Sequence, residues 1–379
     1  MRDLTIAIPG AGASGLAAAV TAARAGARVI LCEQSDRVGK KILRTGNGRC
    51  NLTNTGVDPA AYSQPGFVAP ALMRTDSEAL RAWFRALGLW SYVDAQGRAY
   101  PVSETASSVL DVLRMACAEL GVETRTDCGV TEIARQGEGF TLYSTQGRFR
   151  ADRVIVCTGG GTALMEALGH ETIPFEPVLC PMRTEKGPIR GLDGLRTAAR
   201  VTMRAGGQVL FDERGEVLFR DYGVSGIVIF DLSRYWRRGA VLTLDLLPDV
   251  PEAELAAALA ARREQFPART GEAFFTGILH ARLAQAVRRA AAGDTPEALA
   301  AAIKHFTLPL LGRGDAKQAQ VTRGGACVEG FDSATMASRL VPGLYACGEA
   351  LDVDGRCGGY NLHWAFASGI CAGEAAANA

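Results

Sequence analysis

The stretch TIAIPGAGASGLAAAVTAARAGARVILCE, residues 5–33, decides the fold of this chain. The apolar run Thr5–Ile8 predicts a short buried strand, and the alanine-rich segment 14–25 predicts a helix. Val29–Cys32 predicts a second strand. The turn between the first strand and the helix reads G-x-G-x-x-G, with Gly10, Gly12 and Gly15. Strand, glycine turn, helix and strand in this order predict a βαβ unit that binds a dinucleotide.

The three glycines of the turn have different tasks. Gly10 permits a tight turn that a β-carbon would block. Gly12 lets the backbone approach a pyrophosphate, and Gly15 lets the helix pack closely against the strand. The turn therefore predicts contacts to phosphate that are made by the backbone rather than by side chains.

The first turn of the predicted helix and the end of the second strand complete the nucleotide site. Around Ala13 and Ser14, unpaired backbone N–H groups and the helix dipole face the predicted phosphates. Glu33 stands at the end of the second strand, where its carboxylate can accept hydrogen bonds from a ribose diol. We predict all three residues as cofactor contacts.

Composition limits the classes of protein to consider. A chain of 379 residues is long for one domain, and its 48% of hydrophobic residues can fill sizeable cores. The net charge of +1 gives no overall attraction to nucleic acid or to an anionic membrane. A small-molecule substrate is therefore favoured, and a nucleic-acid partner stays an alternative that the charge does not favour.

Targeting and metal signals are absent from the sequence pattern. The N-terminal apolar run is too short for a signal peptide, and no apolar run reaches the roughly 18 residues of a membrane span. The ten Cys form no C-x-x-C pair, which favours reduced thiols and a cytoplasmic location. The four His are widely separated, so we expect no metal site.

The segment SDRVGKKILRTGNGRCNLTN, residues 35–54, predicts an ordered loop beside the glycine turn. Its Gly46 and Gly48 let the backbone approach a flat ring. Its cationic side chains, which suit phosphates or a substrate acid, are Lys41, Arg44 and Arg49. The alternative is a solvated basic loop, which the crowding of special-purpose residues beside the nucleotide turn does not favour.

The middle of the chain first continues the nucleotide domain. The predicted helices cover 75–93 and 105–120. Residues 122–126 predict a third strand of the nucleotide sheet, and 130–151 predict a small β-meander. The apolar strand Arg153–Cys157 ends in Thr158 and Gly159. A glycine cluster at the carboxyl end of a strand is where a doubly wound sheet binds its ligand.

From about Phe175 the pattern changes to short alternating strands, which predict a β-sheet or barrel over 177–245. Alanine-rich repeats of helical period predict helices over 252–306, and 318–326 predicts a return to strand. The last segment, from 340 onwards, contains a strand, an acidic turn and a helix that follows two glycines.

These patterns predict an α/β fold with a discontinuous Rossmann-like nucleotide domain, an inserted β-barrel and a small helical domain. The nucleotide domain opens and closes the chain, and the other parts lie between its two pieces. The predicted boundaries are 1–176 and 327–379 for the nucleotide domain, 177–247 and 313–326 for the barrel, and 248–312 for the helical insert.

With these pieces in place, the chain resembles the BaiN/RdsA family of FAD-dependent oxidoreductases, within the glutathione-reductase-like flavoproteins. The resemblance covers nearly the whole chain. It rests on GAGASGLAAA at 10–19, GKKILRTGNGRCNLTN at 39–54, GEVLFRDYGVSGIVIFDLSR at 215–234, AQVTRGGA at 319–326 and LVPGLYACGEALDVDGRCGGYNLHWA at 340–365. The second and last stretches are long and specific. The resemblance implies a discontinuous FAD domain, a barrel inserted into it and a helical insert within the barrel.

The resemblance also implies residues that contact the FAD. Those at the pyrophosphate and adenosine ribose are Gly10, Gly12, Gly15 and Glu33. Those that lie along the FAD near its isoalloxazine ring are Lys41, Gly46, Gly48, Arg49, Cys50 and Asn51. Val130 resembles the backbone position that pairs with adenine, and Thr158 with Gly159 resembles the strand-end turn over the cofactor.

Near the C-terminus, the resemblance implies two further contacts with the FAD. Gly348 and Glu349 look like the turn that faces the pyrophosphate and ribitol. The helix N-terminus at the pyrimidine end of the flavin would be formed by Gly359, Tyr360, Asn361 and Leu362. Its dipole would stabilise the anion of the reduced flavin.

Two positions depart from the family pattern. Cys357 stands where members usually have Thr, and His363 stands where they often have Gln. Both fall close to the expected substrate face, so the departures concern the substrate rather than the cofactor. We predict Tyr222, Cys357 and His363 as substrate contacts.

Three functions compete at this point. In the first, NAD(P)H docks transiently, because the chain has one complete G-x-G-x-x-G, and reduced FAD delivers hydride to an activated C=C bond of a small molecule or nucleobase. In the second, FAD takes hydride from an amine and oxygen reoxidises it. The third is an FAD-binding sensor or scaffold without catalysis. We favour the first.

The proton donor of such a reductase is harder to predict. Cys50 is our leading candidate, because an unperturbed thiol pKa of about 8.5 leaves cysteine mostly protonated at neutral pH. Tyr360 and His363 complete the predicted catalytic set, and Cys357 and Tyr222 are rivals. The sequence makes no prediction of oligomeric state.

Overall fold

The computed structural model describes residues 4–379 and divides into two compact units. Unit 1 contains the chain up to Glu176 together with Val321–Ala379, and unit 2 contains Pro177–Gln320. The chain therefore leaves unit 1, forms unit 2 and returns.

The N-terminal part of unit 1 alternates strands and helices. Its strands are β1 (Thr5–Pro9), β2 (Arg28–Cys32), β3 (Thr53–Asn54), β4 (Ser91–Val93), β5 (Arg98–Pro101), β6 (Glu123–Arg125), β7 (Val130–Gln136), β8 (Gly139–Ser144), β9 (Gly147–Ala151), β10 (Arg153–Val156) and β11 (Thr172–Val178), which runs into unit 2. Its helices are α1 (Ala13–Arg24), α2 (Pro65–Arg74), α3 (Ser77–Arg85), α4 (Ala106–Glu119) and α5 (Ala163–Ala167).

Unit 2 and the C-terminal part of unit 1 follow. The strands of unit 2 are β12 (Met182–Thr184), β13 (Arg196–Ala205), β14 (Gln208–Arg220), β15 (Gly223–Ser225), β16 (Val241–Asp245) and β17 (Phe306–Arg313). Its helices are α6 (Lys186–Ile189), α7 (Ile227–Ser233), α8 (Glu252–Gln265), α9 (Ala281–Ala290) and α10 (Pro296–Lys304). Unit 1 is then completed by β18 (Val321–Ala326), β19 (Leu344–Ala346) and α11 (Tyr360–Asn378).

A five-stranded parallel sheet of order β19-β10-β1-β2-β6 forms the centre of unit 1. Helices α1 and α11 pack closely together because small residues line their contact. A β-carbon on Gly369 would lie 2.4 Å from the Ser14 carbonyl oxygen, and one on Gly373 would lie 2.6 Å from that of Ala18. The α/β prediction, including a nucleotide sheet that the last strand of the chain joins, is confirmed.

One predicted helix of unit 1 is wrong over part of its length. Residues 75–93 contain α3, which begins after Asp76 because the Asp76 carboxylate accepts a hydrogen bond from Ala79 N at 2.8 Å. Gly88 has a φ of +92°, which a helix cannot continue through. Beyond it, β4 pairs with β5 in a small antiparallel sheet.

Unit 2 is built on a closed barrel of order β12-β15-β14-β13-β16-β17. We predicted 208–211 and 217–220 as separate strands, but β14 is continuous because it pairs with β13 along its whole length. Gly215 makes room inside this strand, since a β-carbon there would lie 2.6 Å from Val228 Cβ.

The predicted domain boundaries are corrected at the return from unit 2. Residues 306–312 are not helical, because β17 buries alternate residues and pairs with both β16 and β12 to close the barrel. Strand β18, which we placed in the barrel, belongs to unit 1 and pairs with β11. Helices α8–α10 share one hydrophobic core with the barrel, so the predicted division at 248–312 does not separate two cores.

Candidate functional site

The carboxyl ends of the central strands bring the predicted cofactor residues of unit 1 to one edge of the sheet. Pro9 at the end of β1 lies opposite Cys32 at the end of β2, and Val156 in β10 lies opposite Ala346 in β19. The glycine turn, Glu33, Thr158–Gly159 and Gly348–Glu349 directly follow these four strand ends. In a parallel sheet of this kind, ligands bind at this edge.

The glycine turn has the geometry that its sequence predicts. Gly10 has a φ of +99°, and a β-carbon there would lie 2.5 Å from the Cys157 carbonyl oxygen. A β-carbon on Gly15 would lie 1.9 Å from the Gly10 carbonyl oxygen. At Gly12, in contrast, no heavy atom of a neighbouring segment lies within 4 Å, and α1 begins there without a side-chain cap. Two glycines therefore serve packing, and the third leaves open space beside the helix N-terminus, which suits a pyrophosphate.

The Glu33 carboxylate is fixed beside this turn. Its Oε1 accepts a hydrogen bond from Ser35 N at 2.9 Å, and its Oε2 accepts one from Ala11 N at 3.2 Å. The residue is half-buried, and a carboxylate has further lone pairs for a diol. The geometry suits the predicted ribose contact.

On the other side of the edge, Lys41 and Glu349 form an ion pair, with Nζ 2.7 Å from Oε1. A β-carbon on Gly159 would lie 3.0 Å from Glu349 Oε2, so a larger residue would press on this pair. The Thr158 hydroxyl is buried and has no hydrogen-bond partner among the described residues. An unpaired buried hydroxyl beside this turn suits a bound polar group.

The N-terminus of α11 is pressed against the segment after the basic loop. A β-carbon on Gly359, whose φ is +105°, would lie 2.7 Å from the Thr53 carbonyl oxygen and 2.9 Å from Asn51 Oδ1. Asn51 is only 7% exposed, and its Oδ1 has no hydrogen-bond partner in the described part of the chain. An unpaired amide beside a helix N-terminus also suits a polar ring edge.

The predicted loop contacts divide into two groups. Gly46 and Gly48 have positive φ, and Gly48 faces open space. Arg49, however, pairs with Glu104 at 3.2 Å, and its guanidinium lies 4.4 Å from the centre of the Tyr100 ring. Its observed partners are therefore protein groups, and its contact with FAD stays a prediction.

Cys50 does not lie on a surface that substrate can reach. The side chain is 0% exposed and belongs to the hydrophobic core of unit 1. Burial raises the pKa of its thiol to about 12, which weakens it as an acid. We correct the assignment of Cys50 as leading proton donor, because the local sequence shows that the loop is polar but not which way each side chain points.

His363 is also buried and does not face a substrate. Its Nδ1 lies 2.7 Å from Thr53 Oγ1, and its Nε2 has no hydrogen-bond partner among the described residues. Burial lowers the pKa of His363 to about 4, so the ring is neutral at physiological pH. Its predicted catalytic and substrate roles are corrected, because its position in the first turn of α11 points it into the core.

Three predicted residues keep exposed surface. Tyr360 is half-buried, and its hydroxyl donates to the Gly56 carbonyl oxygen at 3.2 Å. Cys357 is half-buried in the loop before α11. Tyr222 is half-buried between β14 and β15 in unit 2. Their roles stay predictions.

The remaining predicted contacts have structural partners. The Asn361 side chain accepts from Gly355 N at 2.8 Å and donates to the Gly355 carbonyl oxygen at 2.9 Å, so it shapes the preceding loop. Leu362 packs against the core of unit 1. Val130 begins β7 and is paired with Ser144. Only backbone groups of these residues are suited to the cofactor contacts predicted for them.

Our sequence reasoning missed a group of charged residues before α11. Asp354 is wholly buried and pairs with Arg323, with Nε 2.8 Å from Oδ1. Asp352 is also buried, and burial raises its pKa. Two acids inside the apolar stretch from 350 to 354 were the available signal, because a buried carboxylate needs a partner.

Two further searches cover residues 4–379. In that range, no three His, Cys, Asp or Glu side chains come together in a way that could hold a metal ion. None of the helices described there has the length and apolar character that crossing a membrane requires.

Comparisons with known proteins agree with this geometry. The model of the HI0933-like protein Rossmann domain family matches residues 4–375. The chain belongs to this family. The 3-dehydro-bile acid delta(4,6)-reductase of Clostridium scindens is 35% identical over 404 aligned residues, which cover 98% of each chain. The ribosomal RNA dihydrouridine synthase of Escherichia coli is 30% identical over 95% of each chain.

A solved structure supports the fold alone. The 3-ketosteroid-delta4-(5alpha)-dehydrogenase of Rhodococcus jostii has a TM-score of 0.51 and 17% identity, and it is matched over 100% of this chain and 98% of its own. Together the family, the relatives and this fold confirm the resemblance predicted from the motifs. The protein is an FAD-dependent oxidoreductase with a Rossmann-type nucleotide fold.

Proposed function

We propose that this protein uses NAD(P)H to reduce an electron-poor C=C bond, with FAD held at the carboxyl edge of the central sheet. The observation that carries the proposal is the N-terminus of α11, which lies beside the unpaired Asn51 amide. A helix N-terminus favours a neighbouring anion, which suits a cofactor that must act as an electron donor. The reductase relative of full length supports the reaction class.

Residues of unit 1 divide the task of holding the cofactor. The open space at Gly12 and the N-terminus of α1 suit the pyrophosphate, and Glu33 suits the adenosine ribose. Glu349, held by Lys41, faces the same edge from the other side. Bound FAD would supply two-electron transfer, and the protein would orient the substrate and deliver a proton.

We propose Tyr360 as the proton donor and Cys357 as a substrate contact. Of the three residues predicted as catalytic, Tyr360 is the one that is not fully buried. Its hydroxyl carries a proton and stands next to the N-terminus of α11. Tyr222 in unit 2 stays a proposed substrate contact.

The substrate is an electron-poor alkene of a small molecule, and the uracil of an RNA is the alternative. The relative at 35% identity is named for a bile acid, and those at 30% and 28% are named for ribosomal RNA. The sequence charge of +1 favours the small molecule. A cytoplasmic location fits a need for NAD(P)H and is part of the proposal.

The test separates the two half-reactions. Under anaerobic conditions the FAD-loaded protein is mixed with NADH or NADPH, and then with a steroid dienone or a uracil-containing RNA. We expect the flavin absorbance to be lost with NAD(P)H and regained with the dienone. Regain with RNA alone would assign the nucleobase, and reduction by a primary amine without any by NAD(P)H would show an amine oxidase.

A further inference from the structure

The loop that precedes α11, residues 352–358, is held from one side by the segment after β3. The Tyr62 hydroxyl donates to the Tyr360 carbonyl oxygen at 2.9 Å. Ser63 N donates to the Asp354 carbonyl oxygen at 2.8 Å, and Asp354 N donates back to Ser63 Oγ at 3.0 Å. The path of the loop into the helix is therefore fixed by backbone contacts.

From the other side, β18 holds the same loop through two acids. The Arg323 guanidinium binds the wholly buried Asp354 carboxylate with both Nε at 2.8 Å and Nη2 at 3.4 Å. The next residue, Gly324, donates its N–H to Asp352 Oδ1 at 2.9 Å. Strand β18 thus contacts both carboxylates of the loop with two consecutive residues.

Strand β18 can come this close because it contains two glycines. Gly324 and Gly325 have φ values of +106° and +126°. A β-carbon on Gly325 would lie 2.9 Å from the Ala350 carbonyl oxygen. This close approach brings the Arg323 side chain to a carboxylate that has no exposed surface.

The ion pair is costly to build and so calls for an explanation. A buried carboxylate loses its hydration, and a single paired arginine often does no more than offset that loss. A well-packed apolar pair would often stabilise the fold as well. What the charged pair adds is a two-point geometry that fixes the direction of the loop.

We propose that Arg323 is a positioning residue that acts through Asp354 to hold the N-terminus of α11 against the pyrimidine edge of the flavin. The proposal rests on the FAD site proposed above. With the pair intact, the positive end of α11 favours reduced over oxidised FAD. Without it, the loop and the first turn of α11 move, and that preference weakens.

The two-electron reduction potential of bound FAD tests the proposal. The variants are Arg323→Met, Asp354→Asn and the double variant. We expect each to lower the affinity for reduced relative to oxidised FAD by about tenfold, which is about 30 mV towards more negative potential for a two-electron couple. The double variant should shift no further than either single variant.

The sign of the shift separates positioning from a direct charge effect. A direct effect would make the potential more negative in Arg323→Met and more positive in Asp354→Asn, because opposite charges are removed. Shifts of opposite sign, additive shifts, or no shift in either variant would overturn the proposal. If Arg323→Met does not fold, Arg323→Lys replaces it, since it keeps the charge but not the two-point geometry.

A matched control is available in unit 2. Arg200 binds Asp212 through Nε at 2.8 Å and Nη2 at 2.6 Å, which is the same two-point contact on an exposed strand. Arg200→Met should leave the potential unchanged. FAD content is measured first in the wild type: a wild type that binds no FAD contradicts the proposed function, whereas FAD binding with unmoved potentials contradicts the role of Arg323 alone.

Discussion

The two ends of the candidate FAD site are built in different ways. At the glycine turn, the groups that shape the site come from residues 9–35 and the neighbouring strand end at Cys157. At the N-terminus of α11, the partners come from far along the chain: Tyr62 and Tyr360 are 298 residues apart. The first end is therefore specified by local sequence, and the second depends on distant segments folding together.

The largest effect is expected at the α11 end, on the rate. Tyr360→Phe keeps the ring against Tyr62 but removes the hydroxyl. Loss of a general acid slows a reaction by roughly 10²–10⁴-fold. We expect NAD(P)H to reduce the variant normally and the alkene to reoxidise it slowly, as measured by anaerobic stopped flow. Reoxidation at the wild-type rate would remove Tyr360 from catalysis, and Cys357→Ala is the variant to compare.

The glycine turn offers a matched pair of variants. Gly15→Ala places a β-carbon 1.9 Å from the Gly10 carbonyl oxygen, so we expect a loss of about 3 kcal/mol in unfolding free energy and loss of FAD. Gly12→Ala meets no protein atom within 4 Å, so the protein without cofactor should keep its stability while FAD affinity falls. Thermal unfolding with and without FAD measures both. Equal stability of the two variants would contradict the division of tasks.

At the α11 end, His363 predicts a pH dependence of stability. Burial lowers its pKa to about 4 from an ordinary value of 6.5. Between these pH values the unfolded chain binds a proton that the native protein does not, so stability is fully present above about pH 6.5 and falls as pH drops towards 4. The loss is about 3 kcal/mol. Denaturant unfolding from pH 7 to 4 should show this loss in the wild type and not in His363→Gln; an identical pH dependence would contradict it.

The smallest effect is expected at Glu33. Glu33→Ala removes charged hydrogen bonds to the ribose, and we expect FAD affinity to weaken by about 1–3 kcal/mol. Titration of the protein without cofactor by FAD fluorescence measures the change, with Glu33→Gln as the uncharged isostere. Unchanged affinity in both variants would remove Glu33 from the ribose site.

The difference between the two ends also explains how far the sequence could predict the molecule. The first strand, α1, β2 and the glycine turn follow from residues near one another, so their bounds were predicted to within one or two positions. The orientation of Cys50 and His363 depends on packing against distant segments, which a loop or helix pattern does not contain. Their burial could not be predicted from spacing.

The same reasoning applies to unit 2 and to the charged loop. Strand β17 follows α10 after a single residue, so the apolar segment from 306 onwards looked like the end of a helical region. Only its pairing with β12 and β16 shows it as the strand that closes the barrel. Likewise, the pairing of Arg323 with Asp354 joins residues that no local pattern connects.

The most direct test of the FAD site is the cofactor content of the purified protein. The expected result is a yellow protein with the absorbance spectrum of oxidised flavin, which releases equimolar, non-covalently bound FAD on heating. Because the open space at Gly12 and the unpaired Asn51 and Thr158 side chains all lie at the carboxyl edge of the sheet or beside it, FAD added to colourless protein should also bind. A folded, colourless protein that gains no flavin signal with FAD would contradict the central claim.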